Sequence, residues 1–100
     1  MTYTTKAGKE IQVNPILLSD REGWVKCRAL QRIFGEFEQI DDSGSDEWWN
    51  KREGMHESFQ GLLTHLGVNG KDAISEGDIV PIVSLLQTGE LPESFTSAGE

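Results

Sequence analysis

The sequence predicts an α+β domain: an N-terminal antiparallel β-hairpin region followed by three helices. Three observations carry this. Residues 1–26 set short apolar and β-branched segments between glycine-bearing turns. From Cys27 onward the apolar residues instead recur at three- and four-residue steps, the mark of helices. The chain is 100 residues long, which suits one domain.

Tyr3–Thr5 and Glu10–Val13 read as strands across Lys6-Ala7-Gly8-Lys9, where Gly8 can take a positive φ. A second hairpin is expected from Ile16-Leu17-Leu18 to Trp24-Val25 across the turn Asp20-Arg21-Glu22-Gly23. A helix competes for this segment. Asn14-Pro15 could start one, and Ser19 with Glu22 has capping-box spacing. The hairpin is preferred because Gly23 and the aliphatic run suit strands.

Cys27, Leu30, Ile33, Phe34 and Phe37 form one apolar helical face, weakened but not forbidden by Gly35. Asp41-Asp42-Ser43-Gly44-Ser45-Asp46 then makes an acidic loop whose Ser45 or Asp46 can cap the next helix. In that helix Trp48, Met55, Phe59, Leu62 and Leu66 fall within about 60° of arc, and Gly67 marks its end. Residues 68–77 are a connection with an Asn69-Gly70 turn. Asp78 can cap a last, central helix over Ile79–Thr88, with Pro81 in its first turn. Gly89 ends it and Pro92 prevents resumption, giving a domain over 1–92 and a mobile tail over 93–100.

Composition narrows function. Leu, Ile, Val and Phe make up a quarter of the chain, above the roughly 20% below which a charged chain stays disordered. No apolar run approaches the 18 or so residues of a membrane helix, and no signal-peptide pattern opens the chain. The single cysteine excludes an internal disulfide, so a cytosolic location is the default. Seventeen acids against nine bases leave a net charge of −8. Direct binding to nucleic acid or to an anionic membrane is therefore not expected.

Catalysis is not expected either, and no cofactor or metal is. His56 and His65 sit on opposite sides of one helix, and neither has Cys27 or a serine at a motif-like spacing. Cys27 reads as a core residue. No Gly-rich phosphate loop is present. Read as a calcium loop, residues 67–78 would put Gly67 and Lys71 at ligand positions, which removes the charges that a hard cation needs.

Charge is unevenly placed. Arg21, Lys26, Arg28 and Arg32 face only Glu22 within 21–32, whereas residues 36–57 carry Glu36, Glu38, Asp41, Asp42, Asp46, Glu47, Glu53 and Glu57 against Lys51 and Arg52. These are either solvated faces pairing weakly with each other or surfaces matched to a partner. Trp48 belongs to the core stripe, which leaves Trp49 at the boundary, packed under the acidic loop or exposed as an interface anchor. Arg52 lies about 40° from Trp48 on the wheel. It either braces the 41–47 loop by pairing with its acids or joins Trp49 as an anchor.

Arg21-Glu22-Gly23-Trp24-Val25-Lys26-Cys27-Arg28-Ala29-Leu30, with Gly35 and then Trp49-Asn50-Lys51-Arg52, resembles the phage KilA-N and antirepressor type of domain over about a third of the chain. The resemblance implies a strand ending in Gly-aromatic-aliphatic that enters a short helix, and a DNA-binding role for Arg21, Lys26, Arg28 and Arg32. In size and acidity the chain is also similar to the small phage-encoded anti-CRISPR proteins. That likeness implies a non-catalytic inhibitor of a host protein or ribonucleoprotein complex, acting in the cytoplasm of a bacterial host. The leading expectation is such an inhibitor, with Arg21, Lys26, Arg28, Arg32, Asp41, Asp42, Asp46, Glu47, Trp49 and Arg52 as partner-binding residues. The alternative is a phage regulatory DNA-binding domain.

Overall fold

Tyr3 and Ile11 face each other across a two-stranded antiparallel hairpin and turn inward together. The computed structural model describes residues 1–91. Strand β1 (Thr2–Thr4) pairs with β2 (Glu10–Gln12) in the register Tyr3 to Ile11. Gly8 takes φ +89° in the connecting turn, and the Thr5 amide donates to the Lys9 carbonyl at 2.8 Å. Alternation along each strand sends one face into the core and leaves Glu10 and Gln12 in solvent.

The second hairpin does not form. Residues 21–38 are one helix, α1 (Arg21–Glu38), which starts six residues before Cys27. The Asp20 carboxylate accepts from the Gly23 amide at 3.0 Å and so caps this helix. Gly23 is needed for closeness, not for a turn: a Cβ there would lie 2.5 Å from Asp20 Oδ2 and 3.1 Å from Ile16 Cγ2. Ile16 is buried and its amide donates to the Leu86 carbonyl at 2.7 Å. The strand implied by the KilA-N resemblance is likewise replaced by the first turns of α1.

Helix α2 (Asp46–His65) starts at Ser45, whose hydroxyl accepts from the Trp48 amide at 3.2 Å. Met55, Phe59, Leu62 and Leu63 are buried, while Trp48 and Leu66 at the ends of the stripe are half-buried. The helix stops at Leu66, followed by Gly67 at φ +72°. It packs along α1, and the Phe37 and Trp48 rings meet at 5.3 Å. Two 3-10 turns, Lys71–Ala73 and Glu76–Asp78, lead into α3 (Ile79–Thr88). Ile79, Pro81, Ile82, Val83, Leu85 and Leu86 are buried, although Val80 faces out. Gly89 closes α3 at φ +77°. Pro92 and the tail expected over 93–100 lie outside the described residues. Among the described residues, no helix is long and apolar enough to cross a membrane.

Asp78 departs from its expected role. It precedes α3, but its side chain makes no cap to that helix. It is fully buried and gathers the hairpin and the 3-10 turn around its two oxygens. Burial, reinforced by the hydrogen bond to this carboxylate, pushes the Tyr3 phenol well above its ordinary range.

Candidate interaction surface

The charged residues singled out in the sequence separate into two surfaces. At the turn between α1 and α2, Asp41, Asp42 and Glu47 line one shallow hollow of about 580 Å³ with Glu36, Gln39, Ile40 and Lys51. Lys51 is held by Glu36 at 2.7 Å, and this contact lowers the Glu36 carboxyl below its usual range. Among the described residues, Asp41, Asp42, Asp46 and Glu47 form no salt bridge. The polar 41–46 segment has no apolar residue to draw it inward, so its carboxylates stay in solvent. Asp46, the first residue of α2, is exposed and does not line the hollow.

Trp49 is 50% exposed, and two positions after Glu47 on α2 it points about 160° away from that residue and its hollow. Trp48 holds it edge-on at 4.7 Å between ring centroids, so it is fixed by an aromatic contact and not packed under the acidic loop. Arg52 does not pair with the 41–47 acids. Its guanidinium meets the Glu76 carboxylate and lies 5.3 Å from the Trp48 ring centroid. It therefore bridges α2 to the 3-10 turn before α3, a contact invisible in a helical wheel because Glu76 is 24 residues away.

The basic residues divide. Arg21, Arg28 and Arg32 fall within about 40° of arc on α1. All three are exposed, and none forms a salt bridge among the described residues. Lys26 points more than about 100° away from this stripe and is half-buried. Glu22, the one acid of the segment, is taken by His65 Nδ1 at 2.7 Å.

Several residues of this surface went unread. Leu17 and Leu18 are 72% and 95% exposed, and Val25 is 58% exposed. Their signal is the run Ile16-Leu17-Leu18 itself, where only Ile16 finds the core. His65 was also missed as a partner: its Nε2 lies 3.0 Å from Asp20 Oδ1. This pulls the Asp20 carboxyl below its ordinary range, with the Gly23 amide helping. His56 is exposed. Cys27 is buried, and burial pushes its thiol up. Comparison with protein-family models, with curated proteins and with solved structures finds no match.

Proposed function

We propose that the protein is a non-catalytic inhibitor that binds a host protein or ribonucleoprotein complex, of the anti-CRISPR kind, in the bacterial cytoplasm. Its acidic corner seats in a groove built for nucleic-acid phosphates. The observation that carries this reading is the hollow in which Asp41, Asp42 and Glu47 form no salt bridge among the described residues. An exposed, ring-braced Trp49 stands on the other flank of α2. Carboxylates left free in this way steer association with a basic partner and select it. The tryptophan supplies the aromatic anchor that charge alone lacks. The net charge of −8 acts in the same direction.

The rival reading, duplex-DNA binding through Arg21, Lys26, Arg28 and Arg32, has less support, since Lys26 is turned off the stripe and aliphatic side chains border it. The test is capture from a bacterial lysate on the immobilised chain, followed by competition. The retained protein should bind nucleic acid and lose that binding as the chain is added. A variant carrying Asp41→Lys, Asp42→Lys and Glu47→Lys should neither retain nor compete. A partner indifferent to this variant, or one whose nucleic-acid binding is untouched, overturns the reading.

A further inference from the structure

The stripe of arginines on α1 borders a seam between α1 and α3. A groove of about 390 Å³ is lined by Arg21, Trp24, Val25, Arg28, Gln31 and Gln87. A second, of about 350 Å³, continues it past Phe34 toward Val80 and Val83. Gln31 and Gln87 line both and are hydrogen-bonded to each other at 3.0 Å. The seam thus follows the 18 residues of α1, a length of about 27 Å.

Trp24, which lines the first groove, also ties down the segment before α1. The Leu17 carbonyl accepts from Trp24 Nε1 at 3.0 Å and from the Asp20 amide at 2.9 Å. Leu17 and Leu18 are therefore presented from a pinned segment, and Val25 stands between the arginines. A helical face that mixes aliphatic side chains with guanidinium groups matches neither water nor a phosphate backbone. It matches a surface with apolar residues and carboxylates interleaved at helical spacing.

We propose that this seam receives an acidic amphipathic helix of a partner protein. The helix would set its apolar side chains against Leu17, Leu18, Trp24 and Val25 and its carboxylates on Arg21, Arg28 and Arg32. A second copy of this chain is a poor occupant. A two-fold contact would set the same arginine-bearing patch on both sides of the interface, with no matching carboxylates supplied by it. The proposal uses none of the residues of the acidic corner and stands or falls independently of it.

The test is fluorescence anisotropy of a labelled synthetic helix of about 18 residues, matched to α1 at 1.5 Å per residue. It carries glutamates and leucines on one face. The full chain should bind it, and should bind a scrambled peptide of the same composition at least tenfold more weakly. Arg28→Glu and Leu18→Ser, both at exposed positions, should each weaken binding tenfold or more with unchanged melts. The Asp41→Lys, Asp42→Lys and Glu47→Lys variant should bind as the native chain does. Equal binding of the scrambled peptide, no binding of the amphipathic one, or tight and salt-sensitive binding of duplex DNA instead would overturn the proposal.

Discussion

The Tyr3 hydroxyl donates to Asp78 Oδ1 at 2.6 Å, joining the first strand to the entry of the last helix across 75 residues of sequence. The same carboxylate accepts from the Lys6 amide at 3.0 Å and from the Ser75 amide at 2.8 Å, with the Ser75 hydroxyl at 3.2 Å. A carboxylate buried so completely persists because each of its lone-pair directions meets a donor. A two-stranded hairpin is marginal by itself. Asp78, with the buried Tyr3 and Ile11, fastens it to the helices.

Tyr3→Phe removes one of these donors and leaves the carboxylate short. It should cost about 1–3 kcal/mol in urea or thermal unfolding. Asp78→Ala strands the phenol and the Lys6 and Ser75 amides together and should cost more. Equal, near-zero shifts for both would mean that the hairpin is not fastened this way.

Two glycines of α1 should respond in opposite ways. Gly35 is exposed in the helix, and a Cβ there meets nothing within 4 Å. Gly35→Ala should stabilise by up to about 1 kcal/mol. At Gly23 the added methyl collides with the capping carboxylate and Ile16. Gly23→Ala should gain nothing and should lower the melting temperature, because the cap must move.

Stability should fall on acidification through the Asp20 contact. Its carboxyl is lowered in the folded chain, first by the hydrogen bond to His65 and then by the Gly23 amide. A lowered carboxyl contributes stability that is fully present above its unfolded value of about 3.9. That contribution is lost as pH falls through the folded value. Asp20→Asn should flatten this part of the curve in a series of melts across acidic pH. A parallel downward shift of the whole curve would show that the contact carries no linkage.

Arg52→Ala should cost less than about 1 kcal/mol, since its ion pair with Glu76 is half-exposed. It should leave capture by the acidic corner intact. A large loss of partner affinity with an unchanged melt would move Arg52 from bracing residue to anchor.

The helices from Cys27 onward were legible because their signals are local. Spacing places Cys27, Leu30 and Phe37 on one buried face and Met55, Phe59 and Leu62 on another. Ser45, Gly67 and Gly89 mark their ends where expected. The first hairpin was legible from Gly8 for the same reason. The segment 16–25 was not. Asp20 and Gly23 serve a four-residue turn or a helix start equally well, and the choice belongs to partners far along the chain. Leu86 takes the Ile16 amide, and His65 takes the Asp20 carboxylate.

Local signals carry the fold class, the phases of the helices from Cys27 onward and the division of charge between the 21–32 and 36–57 segments. Tertiary structure alone decided which charges are satisfied. Glu36 went to Lys51 and Glu76 to Arg52, and Glu22 lies against the His65 ring. Among the described residues this leaves Arg21, Arg28 and Arg32 without a salt bridge on one side and Asp41, Asp42 and Glu47 on the other. The physical reason is reach. Propensity and periodicity act over a turn or a strand, whereas a side-chain polar contact needs two groups within 4 Å, and only the packing of α1, α2 and the 3-10 turns brings residues 15 to 45 positions apart to that distance.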